Sequence, residues 1–168
     1  MINISEYQNM LKLLHTIIPK QTEGLSDADL LLQPQNGGNC MLWTMAHITD
    51  NLREIVKYLG AEVPAEAAML DEFGYGSDPV KGPAEGLPTK EGLLALYTTL
   101  QQAALARLDG MSMADFEAQV PMHGSPARRG WAAFFSIFHH AYHVGQLEQL
   151  RNLAGQTEKV IKGSTTLV

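Results

Sequence analysis

The sequence predicts an all-α fold, a four-helix bundle with at least one long crossover connection. Three observations carry this. Four long segments repeat apolar residues at three and four, and no segment alternates convincingly as a strand. The connections from Gly60 to Pro88 and from Gly110 to Gly124 are too long for tight antiparallel turns, so at least one must cross the bundle. The chain of 168 residues has an ordinary hydrophobic share of 45%. That is enough chain for one domain with a real core.

The first helix starts near Ser5, with Gln8 three residues later as a capping-box partner. Tyr7, Met10, Leu11, Leu14 and Ile18 form its apolar face, and Pro19 is expected to end it. His15 lies beside that face as a partly exposed histidine. Ser26-Asp27-Ala28-Asp29 starts a short helical turn that stops before Pro34. Asn36 to Asn39 reads as a loop. The second long helix runs from about Cys40 to Leu59. Leu42, Met45, Ile48, Leu52, Ile55, Val56 and Leu59 make its stripe. His47 projects to the other side with Trp43, Asp50 and Glu54. That side is either solvated or the wall of a cleft, and Trp43 is costly to leave in water.

Gly60 to Pro88 is rich in proline and glycine. Ala65 to Leu70 is expected to form one or two helical turns, and the remainder is irregular. A connection of this length is usually functional or mobile. Phe73 and Tyr75 suit a lid or pocket wall, and a passive crossover is the alternative. Thr89 caps the third long helix, with Glu91 in its first turn and Gly110 at its end. Leu93, Leu94, Leu96, Tyr97, Leu100, Ala104, Leu105 and Leu108 form its buried side. Ser112 to Ala118 reads as a short connecting helix, and Val120 to Gly124 as an irregular link carrying His123. Ser125-Pro126 reads as a cap with proline at the first position of the last helix. That helix runs to about Leu153 and is apolar almost all round, which implies burial on every side. The tail from Gln156 to Val168 has no clear period.

Three of the six histidines fall in the stretch FFSIFHHAYHVGQLEQL, from Phe134 to Leu150. On a helix, His139 and His143 lie about 40° apart around the axis and ~6 Å along it, while His140 points about 100° away. Two imidazoles so placed can grip one metal ion, as in HExxH. A third ligand must come from elsewhere, and His47 is the best candidate. Three histidines with an open fourth position is the catalytic zinc arrangement. Asp50 or Glu54 on the His47 side could serve as a base or orient a ligand.

Other classes are disfavoured. Net charge is −6, with only 12 Lys and Arg and no basic run. That gives no nucleic-acid footprint. No segment approaches the ~18 uninterrupted apolar residues of a membrane span. The single cysteine, Cys40, excludes an intrachain disulfide framework. Together with an N-terminus lacking signal-peptide features, this points to a cytoplasmic protein.

Trp43-Thr44-Met45-Ala46-His47-Ile48, followed downstream by His139-His140-Ala141-Tyr142-His143-Val144-Gly145-Gln146-Leu147, resembles the DinB/YfiT-like superfamily. The resemblance covers most of the chain in helix order and spacing. It implies a four-helix bundle with metal ligands His47, His139 and His143, and no ligand role for His140. Family members often carry a basic residue where this chain has Val144, so that charge's role does not transfer. The resemblance further implies a divalent-metal enzyme acting on a small-molecule substrate, several members transferring groups with a low-molecular-weight thiol. Imidazole ligands suit Zn²⁺ or Ni²⁺. A metal-dependent hydrolase and a non-catalytic metal- or small-ligand-binding protein are the alternatives. Phe134, Phe138, Ala141 and Gly145 form a face opposite the histidines. Either another helix covers it or it meets a second subunit, and family members commonly form homodimers.

Overall fold

The computed structural model describes residues 3–35 and 37–161. Helix α1 spans Ile4–Thr22, α2 Asp27–Leu30, α3 Met41–Leu59, α4 Lys90–Asp109, α5 Met113–Glu117 and α6 Arg129–Leu153. A 3₁₀ segment covers Ala65–Phe73, and strands β1 (Gln119–Met122) and β2 (Ser125–Arg128) precede α6. The four long helices form the bundle. α3 packs on α6 and α4, and α1 packs on the same two. α1 and α3 therefore stand on one diagonal and α4 and α6 on the other, so the connections α1–α3 and α4–α6 cross the bundle. The core lies between them. Leu11, Ile48, Leu52, Ile55, Leu100, Ala104, Ala133 and Leu147 are all buried there.

Several boundaries differ from the sequence expectation. α1 is capped by Asn3, whose Oδ1 accepts the Glu6 N–H at 2.9 Å while the Glu6 carboxylate accepts the Asn3 N–H at 2.9 Å. Ser5 sits inside the first turn, its hydroxyl donating to Asn3 Oδ1. Pro19 does not end α1, which continues to Thr22. An interior proline costs about 3 kcal/mol. Burying Ile17 and Ile18 stabilises the last turns by about 1.5–3 kcal/mol for each side chain, so packing wins.

The stretch Val120 to Gly124 is not an irregular link, and Ser125-Pro126 does not start α6. Both belong to an antiparallel hairpin in which Met122 pairs with Ser125 and Pro121 with Pro126. His123 and Gly124 are its two-residue loop, with φ of 47° and 81°. Positive φ at both positions is what a type I′ turn requires. α6 starts only at Arg129. Its guanidinium donates to the carbonyls of Tyr58 at 2.9 Å and Asp115 at 2.8 Å, tying the start of α6 to α3 and α5. Gly130 lets α5 approach closely, since a Cβ there would stand 2.7 Å from the Phe116 ring.

α6 is also not buried on every side. Ala132, Ala133, Ser136, Ile137, His140, His143, Val144, Leu147 and Leu150 face inward. Trp131, Phe134, Phe135, Phe138 and Tyr142 are exposed, as are Ala141 and Gly145. No bundle helix covers the face carrying Phe134 and Phe138. In α4, Leu94 and Leu105 are half-buried rather than core, and Gln101 is buried. Val160 packs against the core, whereas residues 162–168, like Asn36, lie outside the described residues.

Candidate metal centre

α3 and α6 are the most closely associated pair of helices, and the histidine cluster sits on their shared face. α3 presents His47 with Trp43 one turn before it. The two rings stack at 4.7 Å with 16° between planes. Trp43, His47 and Asp50 are all buried, so this side of α3 is a cleft wall and not a solvated face. α6 presents His139 and His143, with ring centroids 4.5 Å apart.

The three Nε2 atoms converge. His139 Nε2 lies 3.0 Å from His47 Nε2 and 3.0 Å from His143 Nε2. All three ligand atoms fall within 4.8 Å of one another. Edges of about 3.0–3.4 Å are expected between nitrogens held ~2.0–2.1 Å from one ion. The outer nitrogens fix which tautomers are present. His47 Nδ1–H donates to the Phe73 carbonyl at 2.6 Å, and His143 Nδ1–H donates to Gln146 Oε1 at 2.7 Å. Both rings then turn a lone pair toward His139. A proton on His139 Nε2 gives one donor facing two acceptors, whereas a cation satisfies all three at once. The donor set therefore fits a divalent ion, and each outer bond is of the kind that orients metal-bound imidazoles.

The electrostatics agree with neutral rings. Burial pushes His143 down to about 4, with smaller contributions from His47 and His139. Burial also lowers His139, helped by His47 and His123. Imidazoles that stay neutral keep the lone pairs a metal needs.

The remaining expected residues fall as follows. His140 is fully buried and faces away, sharing a 2.9 Å hydrogen bond with the Tyr97 hydroxyl. His15 is half-buried, stacks on Tyr97 and bonds Thr98. His123, at the hairpin tip, is not part of the three-nitrogen cluster, but lines the same cleft. That cleft encloses about 590 Å³ and is bounded by His47, His139, Asp50, Glu54, Tyr75 and Phe135 among others. Phe73 is divided in its role. Its ring is buried in the core and does not act as a lid, while its carbonyl anchors His47. Tyr75 is 98% exposed at the cleft mouth. Asp50 is raised by burial, and the Arg53 ion pair works against that shift. Gln146 and the Phe73 carbonyl were not assigned these roles from sequence. Gln146 carried a signal, standing three residues after His143 on the same helix face. A backbone carbonyl carries none.

A family model described as the DinB superfamily matches residues 10–147. The chain belongs to the DinB superfamily. A conserved protein from Enterococcus faecalis, known from its crystal structure, has the same fold. It is 16% identical, with a TM-score of 0.69, over 92% of this chain and 98% of that one. No curated protein matches the chain. Among the described residues of this DinB superfamily member, no helix is long and apolar enough to cross a membrane.

Proposed function

We propose that this protein is a divalent-metal-dependent enzyme in which His47, His139 and His143 hold the ion, Zn²⁺ or Ni²⁺ by ligand type. The observation that carries this reading is the convergence of three Nε2 atoms, two of them, on His47 and His143, on rings whose outer nitrogens are fixed by Phe73 and Gln146. A divalent ion held there would supply Lewis-acid activation of a low-molecular-weight thiol or of water. The chain's own residues do the rest. Phe73 and Gln146 hold the His47 and His143 imidazoles in one orientation, Trp43 shields the His47 ring, and the cleft admits a small-molecule substrate beside them. A thiol-dependent transferase is the leading reaction class, and a hydrolase differs only in taking water as nucleophile.

The test is metal analysis of protein purified without a His tag, followed by a thiol-conjugation screen with and without chelator. About one ion per chain is expected, lost in His143→Ala and kept in His140→Gln. Equal loss in both variants overturns the ligand assignment. Bound metal without any chelator-sensitive turnover leaves a non-catalytic binding protein. We further propose that the exposed face of α6 pairs with a second copy about a two-fold axis. Its exposed positions from Trp131 to Leu153 include no charged residue, and a helix face meeting its own copy needs none to be complementary. A monomer at tens of micromolar by sedimentation, unchanged by Phe138→Glu, overturns the pairing.

A further inference from the structure

The walls of the cleft differ in kind from its histidine floor. On α3, Asp50 and Glu54 follow His47 by three and seven residues, so all three share one face of the helix. Both carboxylates line the cleft, and among the described residues no lysine or arginine does. The nearest guanidinium is not free to act there. Arg53 is bound by Asp50, Asp71 and the Ala67 carbonyl. Arg129 is likewise occupied by two backbone carbonyls. In the metal-free cleft, a ligand carboxylate or phosphate would thus meet two carboxylates and, among the described residues, no lysine or arginine in the wall.

The two acids are also available to a ligand in different degrees. Asp50 is 8% exposed and pairs with Arg53 through Oδ1, and a Cβ at Gly74 would stand 3.8 Å from its Oδ2. Glu54 pairs with Lys57, and both side chains are substantially exposed, at 37% and 48%. Exposed pairs of this kind contribute little, so a ligand cation can replace Lys57 at small cost. Tyr58, one turn beyond Glu54 on α3, lines the same cleft, as do Tyr75 and Phe135. Aromatic faces attract cations as well as apolar groups. Tyr75, at 98% exposed, offers its ring at the cleft mouth.

We propose that this cleft selects small molecules carrying a cationic nitrogen, ammonium or amidinium, attached to an apolar or aromatic body. The inference rests on the metal-site reading only in taking this cleft as the substrate site. The selectivity itself belongs to the α3 wall and the aromatic rings. It therefore persists when the protein is stripped of metal.

The test is a titration followed by protein NMR with benzylamine, benzyl alcohol and phenylacetate, with and without chelator, alongside metal analysis of the same preparation. With chelator, benzylamine is expected to bind at least tenfold more tightly than phenylacetate, and to weaken as salt is raised. Glu54→Gln is expected to reduce benzylamine affinity severalfold and leave benzyl alcohol unchanged. Asp50→Asn serves as the second variant, its fold checked by circular dichroism. Phenylacetate binding as tightly as benzylamine in chelated protein overturns the inference. So does benzylamine affinity unchanged in both variants, or no benzylamine binding at tens of millimolar. Metal content read in parallel separates the two claims. Bound metal without cation preference sinks only this inference, and cation preference without metal sinks only the triad.

Discussion

Gln146 is the most informative position to perturb, because it touches the cluster through one hydrogen bond and is not itself a ligand. Its Oε1 accepts from His143 Nδ1 at 2.7 Å, and the residue is only half-buried. Gln146→Leu keeps the size and removes the acceptor. His143 can then rotate, or move its proton to Nε2, and either change withdraws the lone pair from the cluster. Loss of a partner that orients a metal-bound histidine typically costs 10–100-fold in affinity. That corresponds to about 1.4–2.7 kcal/mol, somewhat more than the net 0.5–1.5 kcal/mol of an ordinary hydrogen bond. The excess is expected because orientation of the ring is lost along with the bond. The assay is competition for Zn²⁺ against a chromophoric chelator at pH 7.5. Chelated Gln146→Leu should unfold within about 1 kcal/mol of the parent, since the side chain packs no core. Gln146→Glu should retain or raise affinity, because a carboxylate accepts the same proton more strongly. Parent-like affinity in Gln146→Leu would refute the orientation argument.

Acid should destabilise the metal-free protein. Burial holds His140 down to about 3, against an unfolded value near 6.5. Its stabilising contribution is complete above about pH 6.5 and disappears as pH falls toward 3, amounting to about 3–5 kcal/mol. His139 and His143 shift in the same direction. Denaturant midpoints of chelated protein from pH 7.5 to 4 should fall steeply, and less steeply in His140→Leu; equal slopes would remove His140 as the cause. Gly130→Ala should destabilise by about 1–3 kcal/mol through the contact with Phe116, while metal content per folded chain stays unchanged. A larger loss of metal than of stability would show that α5 positions the cluster. Shortening the connection between Gly76 and Gly86 with Phe73 retained should spare metal binding and weaken ligand binding, measured in the same NMR titration. Full ligand affinity in the shortened protein would reduce that segment to a connection.

Much of the bundle was legible because long amphipathic helices write their period into the sequence. The stripe from Leu42 to Leu59 is buried without exception, and Thr89 caps α4 and Gly110 ends it as expected. The failures have specific causes. Ser125-Pro126 read as a helix start, and proline, which cannot donate to a ladder, gives no strand signal at Pro121 or Pro126. They are accommodated by standing opposite each other in the hairpin. Pro19 read as a stop because local propensity cannot register that Ile17, Ile18, Gln21 and Thr22 are buried together. The aromatic run on α6 read as wholly interior because hydropathy does not distinguish a buried side chain from an exposed one. Phe138 is 63% exposed. At the site, the spacing of His139 and His143 was readable, and the partner on α3 could be nominated from Trp43 beside His47.

The connection from Gly60 to Pro88 joins fold and site in a way that neither a lid nor a passive crossover describes. Its 3₁₀ segment packs on α3, with Ala67, Leu70 and the Phe73 ring buried in the core. Arg53 reaches across from α3 to the Ala67 carbonyl and to Asp71, clamping the segment from its polar side. Both sets of contacts fix one backbone group, the Phe73 carbonyl, against His47 Nδ1. A neutral imidazole can carry its proton on either nitrogen, and this carbonyl selects the form whose Nε2 lone pair faces the other two histidines. Immediately afterwards the chain turns outward through Gly74 and exposes Tyr75 at the cleft mouth. The same short stretch therefore sets the donor state of His47 and delivers an aromatic side chain to the entrance. Movement of the mouth that reached Phe73 would disturb the His47 tautomer, whereas movement confined to Tyr75 and beyond would not. The Arg53 clamp lies between the bundle and that boundary. It isolates the three-nitrogen floor from changes at the entrance.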